Sequence, residues 1–246
     1  MTLIALKCEN RWLLFLFLSI VSCLLVSQNR SEAQDFASMR KEMVKWQLEG
    51  RDIQAPKVLN AMASVPRHRF VPEDLKALAY NDRPLPIGHG QTISQPYIVA
   101  FMSQVLDVQS GQKILEIGTG SGYQAAVLAE MGASVFSIEI VPELGKKAIE
   151  TLKELGYDNI KVKIGDGYQG WTEHAPFDAV IVTCAPTSVP GPLKEQLAEG
   201  GKMVIPVGQK YYQQLVLLTK NNGNIKQQSI LDVRFVPMVD KKGKTY

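Results

Sequence analysis

The chain has 246 residues, of which 46% are hydrophobic and 21% are charged, a composition typical of a globular protein rather than a disordered or fibrous one. The net charge of +3 comes from 27 basic and 24 acidic residues scattered along the chain, so charge gives no reason to expect nucleic-acid binding. The 3 histidines are widely spaced, and no CxxC or HxxxH motif accompanies them. We therefore expect no metal site.

The first 34 residues are expected to be a leader outside the folded domain. A basic start, an apolar stretch over 12–26 and a small-x-small site at 31–33 are typical of a secretory signal, which would leave the protein periplasmic or tethered to a membrane. The apolar stretch is shorter than the roughly 20 residues that cross a bilayer. Two alternatives stay open: a lipoprotein signal ending at Cys23, and a translation start near Met39 or Met43.

The segment 35–110 is predicted to be a helical and loop-rich part that lies on the substrate side of the domain. Apolar residues recur at helical intervals over 35–60 and predict two short helices, interrupted near Gly50 and Pro56. Prolines then indicate loops. A proline in the first turn of an apolar stretch predicts a third helix over 95–105.

From residue 111 onward, predicted strands alternate with helices. Buried strands are predicted at 113–117, 134–139, 159–164, 177–183 and 202–206, with helices at 121–131 and 142–155. This alternation predicts an α/β, Rossmann-like fold with a doubly wound, mostly parallel sheet. Strands at 213–220 and 225–239, joined through Asn221-Asn222-Gly223, predict an antiparallel C-terminal hairpin. We expect 35–246 to form one domain, with the ligand-binding core in 111–246.

A glycine-rich loop follows the first of these strands and begins the next helix. Glycines let a ligand approach the backbone there, at the sheet edge where open α/β folds bind nucleotides. The dinucleotide pattern GxGxxG would need glycine at 123, where the chain has Tyr123, so a ligand without pyrophosphate is favoured. Glu116 is placed to attract an ammonium or sulfonium group. The loop residues expected to bind this ligand are Glu116, Gly118, Thr119, Gly120, Ser121 and Gly122.

Acidic residues end or follow the next two strands. Glu139 is positioned to accept hydrogen bonds from both ribose hydroxyls, and Asp166 with Gly167 is positioned to bind the adenine edge. Each feature alone could be a turn or a helix cap. Together, at the carboxyl ends of three successive strands, they predict binding of S-adenosyl-L-methionine.

Further segments resemble the protein-L-isoaspartate O-methyltransferase family. They are residues 43–51, 65–72 (VPRHRFVP), 87–97 (IGHGQTISQPY) and 233–238 (VRFVPM), and the resemblance runs from about residue 39 to 239. The QTISQP stretch is the specific part, because other methyltransferases share the glycine loop but not this segment. The resemblance implies methylation of the free α-carboxylate of L-isoaspartyl residues in damaged proteins and peptides, followed by closure to a succinimide.

In that family the serine of the Thr-Ile-Ser segment is the active-site residue, and it corresponds to Ser94. An acceptor carboxylate with an unperturbed pKa of about 4 is already ionised at neutral pH, so no strong base is needed. We therefore expect Ser94 to orient the acceptor, with Thr92 and Ile93 beside it. The alternative for Ser94 is an N-cap of the following helix. His89 is predicted at the pocket rim, with a solvent-exposed loop histidine as the alternative.

The segment 233–238 is predicted to be an edge strand against which a peptide substrate could lie, with Val233 and Val236 as substrate contacts. Pairing of main chain with main chain tolerates any side chain, as an enzyme of varied substrates requires. The alternative is a plain terminal strand.

Two other functions stay open: a methyltransferase with another acceptor, and an exported binding module without activity. Enzymes that methylate the amino groups of bases usually have an Asn-Pro-Pro-Tyr motif after the fourth strand, where this chain has Thr183-Cys-Ala-Pro186. Cys184 has no basic neighbour in sequence and is predicted to be a small buried residue rather than a nucleophile. The family resemblance implies a cytoplasmic protein, which we expect to be monomeric.

Overall fold

The computed structural model describes residues 35–209 and 211–246, so the predicted leader lies outside the described part of the chain. Residues 35–42 form an α-helix (α1) that continues as a π-helix over Met43–Glu49, and α2 spans Pro56–Ser64. The two predicted N-terminal helices are therefore confirmed. Proline is tolerated at the start of α2 because the N–H group there would have no partner within the helix.

Short helices and a hairpin follow α2. Two 3-10 helices, Arg67–Phe70 and Glu73–Leu78, precede an antiparallel hairpin of β1 (Leu85–Gly88) and β2 (Gln91–Ile93) that the sequence did not predict. Both residues of its turn have positive φ, 51° at 89 and 70° at 90. Such a turn matches the twist of paired strands.

The central sheet has seven strands in the order β5-β4-β3-β6-β7-β8-β9. Their bounds are β3 Lys113–Ile117, β4 Ser134–Glu139, β5 Ile160–Ile164, β6 Phe177–Val182, β7 Leu197–Gln209, β8 Tyr212–Asn221 and β9 Asn224–Val233. The strands β3 to β7 pair in parallel, and β8 and β9 pair antiparallel, which confirms the predicted sheet. The chain leaves β3 towards β5 and returns to β6 on the other side of β3. The loops after β3 and β6 therefore diverge and leave a crevice between them.

Helices cover both faces of the sheet. The longer ones are α3 (Pro96–Leu106), α4 (Tyr123–Glu130) and α5 (Pro142–Glu154), and α6 (Gly191–Glu195) is short. Alternate strand residues enter two separate hydrophobic clusters, as the two-residue period of a strand requires. One cluster joins the sheet to the N-terminal helices and α3. The segment before residue 110 therefore shares a core with the sheet.

The C-terminal strands agree with the prediction at their turn but not at their end. Asn222 and Gly223 connect β8 to β9 with φ of 50° and 74°. β9 ends at Val233, whereas the sequence predicted a strand to residue 239, and this prediction was wrong. The physical reason lies in Gln213, whose side-chain amide accepts from the Phe235 N–H at 2.6 Å and donates to its carbonyl at 3.1 Å. A side chain thus replaces main-chain pairing.

Beyond this point the chain turns from the sheet edge towards the crevice. The Ala185 N–H donates to the Val236 carbonyl at 2.8 Å, and the Met238 N–H donates to the Ala185 carbonyl at 2.9 Å. These bonds fix residues 236–238 beside the loop that follows β6.

Candidate functional site

The glycine loop lies against the end of β6. The Thr183 hydroxyl donates to the carbonyls of Ile117 and Gly118, at 3.0 and 2.7 Å. A Cβ at Gly118 would collide with this hydroxyl, and its φ of 95° also favours glycine. The close approach of β3 and β6 thus requires a residue without a side chain at the start of the loop.

The other loop residues predicted to bind the ligand have different surroundings. Gly120 lies at the cleft described below, and Ser121 lies at the cavity beside Ser94. The Thr119 side chain is buried, with its hydroxyl 2.6 Å from the Ser137 hydroxyl. Gly122, with φ of 90°, is the N-cap residue of α4, and α4 therefore begins two residues later than predicted.

A cleft of about 580 Å³ lies over the carboxyl ends of β3, β4 and β6. Its lining residues are Gln91, Thr92, Ile117, Gly118, Gly120, Ile138, Glu139, Ile140, Gly167, Thr183, Cys184, Val236, Pro237, Met238 and Val239. Two of the predicted loop residues, Gly118 and Gly120, are therefore brought together with Glu139 at the end of β4 and Gly167 after β5.

Glu139 is the carboxylate in this cleft. It is 4% exposed, and its two oxygens accept from the N–H groups of Gly120 at 2.7 Å and Val141 at 2.9 Å. Burial raises the pKa of Glu139, and the backbone N–H groups oppose that shift. Each carboxylate oxygen keeps a further lone pair, so these bonds fix the side chain and leave it able to accept from a ligand hydroxyl.

Glu116 lies beneath the loop and does not line the cleft. It is fully buried, its Oε2 accepts from the Ser137 hydroxyl, and its Oε1 has no partner among the described residues. Burial raises its pKa to about 8, with a further contribution from Glu139, while the Ser137 hydrogen bond acts in the opposite direction. Its predicted contact with an ammonium or sulfonium group stays a prediction.

Replacing Glu116 by glutamine is expected to change how stability depends on pH. With its pKa raised from 4.5 to about 8, the folded protein holds a proton that the unfolded chain releases between these values. The free energy of unfolding therefore falls as pH rises through this window, by at most about 1.4 kcal/mol per pH unit from this group. Urea unfolding of wild type and Glu116→Gln at about pH 5 and about pH 8 measures this. We expect the variant to gain stability relative to wild type at the higher pH; an equal difference at both values would contradict the assignment.

Asp166 stands at the N-terminus of the 3-10 turn Gly167–Gln169. Its Oδ1 accepts from the Tyr168 N–H at 3.0 Å, and its Oδ2 accepts from the Tyr246 hydroxyl. The ring of Tyr246 also stacks on that of Tyr168 with centroids 4.1 Å apart. The hydrogen bond to Asp166 and partial burial raise the pKa of Tyr246 to about 12, so the phenol stays a donor. Asp166 is thus held in place at the cleft edge, where Gly167 is a lining residue.

Loss of the Tyr246 side chain is expected to destabilise the protein modestly. Tyr246→Ala removes one ring stack and one hydrogen bond to a carboxylate, and we expect the free energy of unfolding to fall by about 1–2 kcal/mol. Denaturant unfolding measures the change. The control is Tyr212→Ala, since Tyr212 is 83% exposed and its loss should cost less than about 0.5 kcal/mol. Equal effects of the two variants would show that the contact with Asp166 contributes nothing.

Ser94 lines a second cavity, of about 340 Å³, next to the cleft. The N-cap residue of α3 is Gln95, which makes no side-chain capping bond, so Ser94 is not the cap of this helix. The cavity also contains Thr92 and Ile93 from β2, so the three residues predicted on the substrate side lie together. Its lining residues are Thr92, Ile93, Ser94, Val99, Gly118, Thr119, Gly120, Ser121, Tyr123, Gln124 and Thr183.

The remaining predicted substrate contacts are more dispersed. His89 is exposed at the tip of the β1–β2 hairpin and lines neither cavity. Val236 lines the cleft, whereas Val233 pairs with Gln213 at the end of β9. Of the predicted pair on this segment, only Val236 thus borders a cavity.

Two residues at the end of β6 were missed or misjudged from the sequence. Thr183 borders both cavities, and only its place after the fourth parallel strand could have drawn attention to it. Cys184 packs against the core but is partly exposed at the cleft, so it is less buried than predicted. Desolvation, followed by the charges of Glu139 and Asp166, raises the pKa of Cys184 to about 12. The thiolate is therefore absent at neutral pH, which argues against a nucleophile.

Across 35–209 and 211–246, no helix is long and apolar enough to cross a bilayer. In the same residues, no group of three or more His, Cys, Asp or Glu side chains could hold a metal ion.

The chain is similar in sequence to proteins of one known family. A model of the family described as protein-L-isoaspartate(D-aspartate) O-methyltransferase matches residues 38–243. The protein-L-isoaspartate O-methyltransferase of Gloeobacter violaceus is 59% identical over 201 residues, which cover 81% of this chain and 98% of the relative. That of Opitutus terrae is 53% identical over 228 residues, with coverage of 92% and 98%.

Solved structures share the fold. One from Plasmodium falciparum, described as a protein-L-isoaspartate O-methyltransferase in complex with S-adenosyl-L-homocysteine, is 31% identical and gives a TM-score of 0.72. The match covers 82% of this chain and 98% of that chain.

Proposed function

The chain belongs to the protein-L-isoaspartate(D-aspartate) O-methyltransferase family, and on that premise we propose that it methylates the free α-carboxylate of L-isoaspartyl residues in damaged proteins and peptides. The donor is S-adenosyl-L-methionine. The backbone nitrogen of the next residue attacks the ester carbonyl and methanol leaves, which gives a succinimide whose hydrolysis returns some normal aspartate. The observation that supports this most directly is that the cleft containing Glu139 and the cavity containing Ser94 share walls at Thr92, Gly118, Gly120 and Thr183. Donor and acceptor would therefore lie on adjoining sides of the glycine loop.

The cleft suits the donor by its chemistry. Glu139 offers a fixed carboxylate for ribose hydroxyls, and Asp166 with Gly167 borders the side assigned to adenine. A Cβ at Gly167 would collide with Ile117, so this wall also requires glycine. Glu116 lies beneath the loop with one unpaired oxygen, and a cationic ligand in the cleft would favour its ionised form over the protonated one. When bound, S-adenosyl-L-methionine supplies a methyl group already activated on a sulfonium.

On the acceptor side, the protein has to orient and desolvate a carboxylate. That carboxylate is ionised at neutral pH, so the chain needs no general base. The Ser94 hydroxyl donates to one carboxylate oxygen while the other receives the methyl group, and Thr92 lies in the same cavity. Correct placement of two reactants can lower a barrier by roughly 7–11 kcal/mol.

The substrate backbone is assigned to the wall formed by the C-terminal segment. Val236 lies at the cleft, Val233 precedes it, and His89 stands at the tip of the neighbouring hairpin. We assign the segment 35–110 to substrate binding and to covering the core 111–246, within one domain. We assign the protein to the cytoplasm, because the donor is made there. We further propose that it is a monomer.

Matched peptides test the proposed function. The full chain is incubated with radiolabelled S-adenosyl-L-methionine and either an L-isoaspartyl peptide or its L-aspartyl counterpart. Base-labile label on the isoaspartyl peptide alone is expected. Label on neither peptide, with the donor still bound, would leave a methyltransferase with another acceptor. Absence of donor binding would favour a binding module without activity.

A further inference from the structure

Arg67 is a fully buried cation beside the acceptor cavity. Its Nη2 donates to the Ser94 carbonyl at 2.7 Å, and its Nε donates to the Ala79 carbonyl at 2.7 Å. Its guanidinium carbon lies 4.7 Å from the ring centroid of Tyr123. Ser94 and Tyr123 both line the cavity, so Arg67 contacts two of its walls from the protein interior.

No carboxylate of the described residues forms an ion pair with this guanidinium, and the charge of Asp82 acts on it only from a longer distance. Arg67 takes part in none of the ion pairs found there, and its Nη1 has no hydrogen-bond partner in that part of the chain. Burial lowers the pKa of Arg67, which expresses the cost of keeping the cation out of water. A buried charge without an ion-pair partner is unfavourable, and its hydrogen bonds to the Ala79 and Ser94 carbonyls offset part of that desolvation.

We propose that Arg67 is a positioning residue that fixes the Ser94 main chain and makes the acceptor cavity selective for an anionic over a neutral group. The inference rests on the proposed function, because it takes the cavity beside Ser94 as the place of the acceptor carboxylate. Two properties follow from the contacts. The guanidinium joins Ala79, after the second 3-10 helix, to Ser94, which precedes the N-cap residue of α3, so the Ser94 hydroxyl is presented from a fixed backbone. Its positive charge, screened little in the interior, favours a carboxylate in the cavity.

The test compares two peptides that differ only in the charge of the acceptor group. One has the isoaspartyl α-carboxylate, and the other has an α-carboxamide in its place. Calorimetric titration of the full chain, with S-adenosyl-L-homocysteine bound, gives a Kd for each peptide. The Kd of the carboxamide peptide divided by that of the carboxylate peptide is a measure of charge selectivity that does not depend on the fraction of folded protein. We expect Arg67→Met to reduce this ratio by about 10-fold or more, while the Kd for S-adenosyl-L-homocysteine stays within about 2-fold of wild type.

The matched control is Arg69→Met, two residues further on. Arg69 is exposed and pairs with Glu154 at 2.9 Å, so its loss should leave the peptide ratio unchanged. An unchanged ratio in Arg67→Met, or an equal fall in both variants, would overturn the proposal.

A second variant decides the matter if Arg67→Met does not fold. Arg67→Lys keeps the charge but replaces the guanidinium fork that reaches both carbonyls by a single ammonium. We expect it to retain the peptide ratio within about 3-fold and to lower kcat by about 10-fold. An unchanged kcat, or loss of the ratio, would overturn the proposal. If wild type methylates no isoaspartyl peptide, the proposed function fails together with this inference. If wild type turns over normally and the ratio of peptide Kd values is the same in Arg67→Met as in wild type, only the role of Arg67 is refuted.

Discussion

Glu139→Gln is expected to raise the Kd for S-adenosyl-L-methionine by about 100-fold or more. A hydrogen bond to a charged acceptor contributes about 1.5–3 kcal/mol, and two ribose hydroxyls would lose such an acceptor at once. In wild type, the two Glu139 oxygens accept from the N–H groups of Gly120 and Val141. The NH₂ group of glutamine would face one of these N–H groups, so two donors would meet and the side chain would lose a hydrogen bond. Calorimetric titration of the full chain with the donor measures the Kd.

The control for this variant is Glu143→Gln in the first turn of α5. Glu143 is exposed, so the same loss of charge is made four residues away without touching the cleft. We expect its Kd to stay within about 2-fold of wild type. Similar Kd values for wild type and Glu139→Gln would show that the carboxylate serves only to fix the loop, and the ribose assignment would then be wrong.

The sequence predicted the centre of the sheet well because its central strands are buried on both faces. β3, β4 and β6 are short, mainly apolar runs that contain isoleucine or valine, and such runs can hardly be mistaken for surface helices. The glycine loop was predictable for a related reason. Its closely spaced glycines come directly after a strand and directly before a helix, so the local sequence pattern predicts where the chain turns.

Other parts of the site depend on contacts between residues far apart in sequence. The β1–β2 hairpin turns at His89 and Gly90, and its strands have only four and three residues, so the segment resembled a loop. The end of β9 depends on the Gln213 amide, 22 residues from Phe235. The Asp166–Tyr246 contact spans 80 residues. No periodicity or spacing signals such pairings.

Arg67 shows the same limit for a functional residue. Within the VPRHRFVP segment its sequence context gives no sign of whether Arg67 or Arg69 is buried. The structure separates them, because the first contacts the Ser94 carbonyl and the second pairs with Glu154 at the surface. A resemblance can identify the segment, but only the tertiary contacts distinguish these two arginines.

Ser94→Ala is expected to lower kcat/KM for an isoaspartyl peptide by about 10–100-fold while leaving donor affinity unchanged. The variant removes one hydroxyl that would donate to the acceptor carboxylate, and such a bond to a charged group is worth about 1.5–3 kcal/mol. Because the Ser94 carbonyl still accepts from Arg67 in the variant, the backbone should keep its place. Initial rates of methyl transfer against peptide concentration give kcat and KM separately, and Ser64→Ala, at the exposed end of α2, is the control.

The division of the loss between kcat and KM decides what Ser94 does. A hydroxyl that holds the carboxylate equally in the bound state and the transition state affects KM, whereas one that aligns the attacking oxygen affects kcat. Since the proposed chemistry needs orientation rather than proton transfer, we expect the loss at every pH where the carboxylate is ionised, with no new pH dependence. A methylated serine trapped in wild type would contradict this, because it would make Ser94 a nucleophile and the orienting role would fall with it.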